Sequence, residues 1–135
     1  MIPSIVVRGT GAVHQLREIA DRARDASPAW DGVADLVFQH QGRFWLTEYA
    51  GKTDKQKRKG RNPRFMEETG SLRRAATHKG AGNRVDARPA FVLVEITHPL
   101  ARLQEARGRK VLDEPGTREA RQMAQHVADY ILTGR

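Results

Sequence analysis

Cysteine is absent from this 135-residue chain, which removes disulfide frameworks and thiolate chemistry together. No stretch approaches the roughly 20 consecutive apolar residues of a membrane-spanning helix. The apolar run near the start, within MIPSIVVRGTG, is shorter than the hydrophobic region of a secretory signal and has no basic stretch before it. These absences lead to the expectation of a protein made and kept in the cytoplasm, or in a particle assembled there. Acidic residues are also in short supply. Sixteen Asp and Glu face 24 Lys and Arg, so the net charge is +8 and the pI about 10.6. A basic excess of that size favours contact with polyanions or acidic protein surfaces, without choosing between them.

What is present has the balance of a globular chain. Apolar residues make up 39% and charged residues 30%, and the apolar ones are patterned, which a fully disordered chain would not show. The length suits one domain with one modest core, residues 1–135. Ser4–Gly9, SIVVRG, reads as a strand or an extended lead-in, being β-branched and ended by glycine. In GAVHQLREIADRARDAS, Val13, Leu16, Ile19, Ala20 and Ala23 recur at helical spacing with charges on the other face, which predicts an amphipathic helix. Ser27-Pro28 predicts a serine cap with proline at the first position of a second helix. Its stripe is Trp30, Val33, Ala34, Val37, Gln41, Phe44 and Trp45, widened by Leu36 and Phe38, and the helix is expected to end near Gln41, before Gly42.

The periodicity then stops. Between Lys52 and Arg64 stand Lys52, Lys55, Lys57, Arg58, Lys59, Arg61 and Arg64 against Asp54 alone, a net +6 with no large apolar side chain. Such a segment cannot offset ~1–2 kcal/mol per residue of backbone entropy by itself. Residues 51–64 are therefore expected to form a mobile basic loop, disordered in the isolated subunit and ordered in an assembly. Thr69 or Ser71 can cap a short helix, SLRRAATHK. Phe91–Ile96 is the strongest strand, with both faces expected to be partly covered. Asn83–Ala87 pairs with it as a hairpin or forms a separate edge strand. Pro99 opens a helical or turn segment, RKVLDE reads as a further short strand, and the C-terminal stretch is a helix with the stripe Ala120, Met123, Ala124, Val127 and Ile131. The sum is an α+β fold, a small antiparallel or mixed sheet with N-terminal helices and a C-terminal helix packed on it. The expected core is Val13, Leu16, Ile19, Trp30, Val33, Val37, Phe91, Leu93, Val127 and Ile131.

The residues that carry chemistry do not converge in sequence. His14, His40, His78, His98 and His126 show no His-x-x-x-His spacing of a metal site, and His14 and His126 read as helix-surface residues. Glu67-Glu68 are neighbours, which do not converge on one substrate. Ser71 has no histidine at a motif spacing and no Gly-x-Ser-x-Gly elbow. Gly80-Ala81-Gly82 lacks the Gly-Lys-Ser/Thr ending of a phosphate loop. No catalytic, metal or cofactor residue is assigned, no cofactor is called for, and an enzyme is not expected. The basic run lacks the interleaved aromatics of single-strand binders. Phe44, Trp45 and Tyr49 before it and Phe65 after it read as anchors of the loop ends.

The order of these pieces resembles the tailed-bacteriophage neck and tail-completion (tail terminator-like) morphogenesis proteins. Trp45, Leu46 and Thr47 match a Trp-Leu-Thr element of that family. Thr69, Gly70, Leu72 and Arg73 match its Thr-Gly-x-Leu-Arg segment. Pro99, Ala101, Arg102, Glu105 and Gly108 follow its later turn in outline. Ala75 stands where the family often has serine, Leu100 replaces a tyrosine, and Ala106-Arg107 intervene where Phe-Gly is usual. The resemblance implies a non-enzymatic virion protein acting between head and tail, as a homo-oligomeric ring, a hexamer by tail-tube symmetry, around the DNA channel. Its partners would be copies of itself and the neighbouring head-completion and tail-tube proteins, with non-specific contact to DNA and none to membrane. The basic loop would serve assembly first and line the lumen second. The competing class is a small basic DNA-binding protein.

Overall fold

The computed structural model describes residues 9–49 and 70–135. The expected strand Ser4–Gly9, the basic segment with its seven Lys and Arg, Phe65, Glu67-Glu68 and Thr69 therefore lie outside the described residues, Gly9 excepted. The elements are α1 (Gly9–Arg24), α2 (Ser27–Glu48), α3 (Ser71–Thr77), β1 (Asn83–Ala87), β2 (Val92–Ile96), α4 (Pro99–Ala106) and α5 (Thr117–Thr133). The fold is α+β, as the patterning predicts. The hairpin reading of Asn83–Ala87 holds: β1 and β2 pair antiparallel with Val85 opposite Val94.

α2 is the central element, and the hairpin, α3 and α5 all pack on it, while α1 packs on α5. The break between α1 and α2 does not use Ser27 as a cap. Ser27 is already helical, and its N–H and hydroxyl both donate to the Asp25 carboxylate. The Ala26 N–H leaves the helical ladder altogether and donates to Pro89 O at 3.1 Å, fixing the junction to the hairpin turn. Pro28 then suits the first turn, where its missing N–H would have no partner.

α2 does not stop near Gln41 but runs on to Glu48. A glycine inside a helix costs about 0.5–1 kcal/mol, which Gly42 brings. Beyond it the last turns bury Trp45, 1% exposed, and a large buried aromatic outweighs the glycine. Ser71 does not cap α3, being already its first helical residue; the cap position is Gly70, in the left-handed region at φ 74°, a conformation that suits glycine.

RKVLDE is not a strand. Val111 is buried at a bend in the chain, and its carbonyl is met by the Trp45 side chain of α2 rather than by a neighbouring strand. The expected core is also shifted. Val33 is buried, and Ile19, Trp30, Val37, Val127 and Ile131 are half-buried. Val13, Leu16, Phe91 and Leu93 are exposed, at 41%, 47%, 55% and 48%. α1 and α5 cover each other only in part, and no residue of α5 is fully buried. The hairpin turns Val92, Val94 and Ile96 inward, and its other face, with Phe91, Leu93 and Glu95, is open rather than partly covered. The core proper is made of Phe38, Trp45, Tyr49, Leu72 and Val111, sealed by the small residues Ala26, Ala29, Ala34, Ala75, Ala76 and Ala101.

Candidate functional site

The site assembles along one side of the C-terminal half of α2. Gln41, Trp45 and Tyr49 are spaced four residues apart, about one helical turn or 6 Å each. They face residues 110–113, a segment that bends at Val111 and Leu112. Trp45 Nε1–H donates to Val111 O at 2.9 Å and Tyr49 O–H to Lys110 O at 2.7 Å. The Gln41 amide both donates to Asp113 O at 2.7 Å and accepts from Asp113 N at 2.8 Å, as a strand neighbour would. Successive turns of α2 thus meet Asp113, Val111 and Lys110 in that order. His40 adds Nε2 at 3.0 Å from Asp113 Oδ2. The Tyr49 phenol has its pKa raised, first by burial and then by the nearby Glu48 charge.

Three of the sequence motifs meet here. Trp45, Leu72 and Ala101 belong to one buried cluster with Tyr49, Ala76 and Val111, and Phe44 and Ile96 pack against it. Gly70 and Pro99 sit one step before α3 and at the start of α4, where they set the approach of Leu72 and Ala101. Arg73 is half-buried and lines a cleft of about 490 Å³ between α2 and α3, with Phe38 and Gly42 at its base and Asp35, His78 and Lys79 around it. Arg102 is exposed on α4 and joins no cluster, and neither do Leu46 and Thr47. Trp45 and Tyr49 belong to this cluster and Phe44 packs against it, while the segment they were expected to anchor lies outside the described residues.

Sequence reasoning missed the pairing of Ser71 with His98. Their Oγ and Nε2 are 2.9 Å apart. The Leu100 N–H donates to His98 Nδ1 at 3.2 Å, so the neutral ring carries its proton on Nε2 and donates it to Ser71. A ring in that tautomer holds the serine without activating it. His98 caps α4 and ties it to α3. Gly80-Ala81-Gly82 is a turn of the same joint. Gly82 lies at φ +87°, a Cβ there would stand 2.6 Å from Ala75 Cβ, and its carbonyl accepts from both Thr97 and His98. His126 is not a free surface residue either. Its imidazole packs over Gly32 on α2, where a Cβ would lie 2.3 Å from Nε2.

Among the described residues, no three His, Cys, Asp or Glu side chains come together as ligands for one ion, and no helix is long and apolar enough to cross a membrane. Comparison with known proteins gives no match, whether to a protein family, a curated relative or a solved structure.

Proposed function

We propose that this chain is a structural subunit of a tailed-bacteriophage virion, a non-enzymatic protein that closes or joins the tail at the head–tail interface as a homo-oligomeric ring. The observation that carries this reading is the convergence of Trp45, Leu72 and Ala101 on one cluster. The three motif segments thus share one buried core.

The surface supports a subunit rather than a self-sufficient monomer. Val13 and Leu16 on α1, Phe91 and Leu93 on the hairpin and Leu132 on α5 are large, apolar and exposed, the pattern of a chain whose faces meet neighbours. A ring of such subunits would present a basic lumen to passing DNA without reading its sequence. Light scattering on the purified full chain, imaging by electron microscopy, and a salt series on duplex binding test the reading together. Closed rings with weak, sequence-blind DNA binding are expected. A monomer or dimer with nanomolar duplex affinity and a steep salt slope would replace this reading with that of a small DNA-binding protein.

A further inference from the structure

We propose that copies of this chain join edge to edge through the hairpin, the outer edge of β2 in one copy pairing antiparallel with the outer edge of β1 in the next. This rests on the reading of the chain as a ring subunit and names the surface that joins its copies.

The backbone is arranged for it. Arg88 N–H donates to Phe91 O and Thr97 N–H to Gly82 O, both at 2.8 Å, which fixes the residue pairs that exchange hydrogen bonds inside the hairpin. By the alternation of an antiparallel ladder, Val92, Val94 and Ile96 turn their N–H and C=O outward from β2, and Val85 and Ala87 turn theirs outward from β1. None of these groups meets a backbone partner among the described residues. A two-stranded sheet is marginal in water, and unpaired edges invite another strand. Here one edge of each kind is open, so one copy can present β2 and the next β1, the heterologous contact that closes rings.

The open face supplies the register. Its β1 column is Arg84, Asp86 and Arg88, and its β2 column is Glu95, Leu93 and Phe91. Arg84 and Arg88 both turn to Asp86, at 3.7 and 2.9 Å, which leaves the β1 column with an excess positive charge. Glu95 is exposed, and its carboxylate meets no cation among the described residues. The two columns are therefore oppositely charged and lie on opposite edges. Repeating the hairpin's own register between copies sets Val94 opposite Val85 of the neighbour and Glu95 beside the neighbour's Arg84. That is a non-hydrogen-bonded pair, in which side chains approach more closely than in the hydrogen-bonded pair within one chain. Sliding the register two residues one way brings Glu95 against the neighbour's Asp86, and the other way against Gly82, which has no side chain. Leu93 and Phe91 then lie between the charged columns of two copies and lose their exposure.

The test uses the full-length protein. Glu95→Arg and Arg84→Glu should each raise the concentration needed for half-maximal assembly by roughly fivefold, as an attractive cross-strand pair becomes a repulsive one. The double variant should recover assembly. Because the chain has no cysteine of its own, Leu93→Cys in one preparation and Asp86→Cys in another should give mixed disulfides only where two copies pair in this register. Rings that form equally well in all variants without mixed disulfides would overturn this pairing and leave the ring reading in place. A chain that stays monomeric at every concentration would overturn the ring reading, and the pairing with it.

Discussion

Trp45 and Val111, each 1% exposed and 66 residues apart, are joined by the indole N–H and the Val111 carbonyl at 2.9 Å. This bond gives the Val111 carbonyl a partner in the segment that links α4 to α5, which bends at Val111 and Leu112. Trp45→Phe keeps an aromatic body in the cluster but strands the buried carbonyl, at a cost of about 1–3 kcal/mol. Trp45→Ala also opens a cavity and should cost about 3–5 kcal/mol. Urea denaturation of the two variants separates the terms; equal losses would show that the hydrogen bond contributes nothing beyond packing.

Gly32 and His126 form the contact between α2 and α5. Gly32→Ala drives a Cβ into the imidazole, 2.3 Å from Nε2, and should destabilise by about 1–3 kcal/mol. Removing the ring reverses the sign. In a His126→Ala background the alanine has room, and its better helix propensity should stabilise by about 0.5–1 kcal/mol. A double-mutant cycle followed by thermal or urea unfolding checks this; additive effects would show that the two residues do not touch.

The exposed faces of α1 and of the hairpin change what truncation should do. Leu16→Ala should alter the isolated subunit by less than about 1 kcal/mol, since Leu16 is 47% exposed, whereas Leu72→Ala at 4% exposure should cost about 2–5 kcal/mol. In the assembled state the order should narrow, with Leu16→Ala weakening association. Comparing unfolding of subunit and assembly measures both.

The elements themselves were legible where periodicity and punctuation agreed. α1, α5 and the hairpin carry clear 3.6- and 2-residue patterns with Gly or Pro at their ends, and the chain forms them. What the patterns could not say is which apolar face finds a partner. Val13 and Leu16 have the spacing of core residues, yet no element among the described residues covers them. Ala75, Ala76 and Ala101 have little hydropathy of their own and become core because close helix approach excludes anything larger. Residues 109–114 read as a strand from their composition, but the segment bends at Val111 and Leu112; its partners are the side chains of Gln41, Trp45 and Tyr49, which no local pattern reveals. Gln41 stood on the apolar stripe of α2 all along, and a lone amide among apolar neighbours was the available signal that a backbone would be bound there. Ser71 and His98 had no such signal, since 27 residues and a hairpin separate them.

Alkaline pH should loosen the same segment. Burial raises the Tyr49 pKa above the ordinary phenol value of 10.0, with the Glu48 charge adding to it. A raised folded-state value means the stabilising form is the neutral phenol, which donates to Lys110 O. Its contribution is complete below pH about 10 and is lost as pH rises through the folded-state value. Urea midpoints between pH 8 and 11.5 should fall for the native chain, and Tyr49→Phe, lower at neutral pH by about 0.5–1.5 kcal/mol, should fall less steeply. Parallel slopes would assign the alkaline loss to other groups.

The last prediction concerns the charge of the segment between Tyr49 and Gly70. Lys57, Arg58 and Lys59 stand at the centre of its basic run, and all three are charged side chains. Reversing all three to glutamate changes the net charge by six without removing a core side chain. Substitutions away from core, caps and networks are usually worth within about 0.5 kcal/mol each, so the subunit should fold with nearly unchanged stability. Its long-range field is another matter. Attraction to an acidic neighbour or to phosphates becomes repulsion at close range, so if the chain is the virion subunit proposed above, its joining to the particle should fail while the fold survives. Circular dichroism and urea unfolding check the fold, and the yield of completed particles checks the joining. If the reversed protein completes particles at the normal yield, the charge of this segment has no role in assembly.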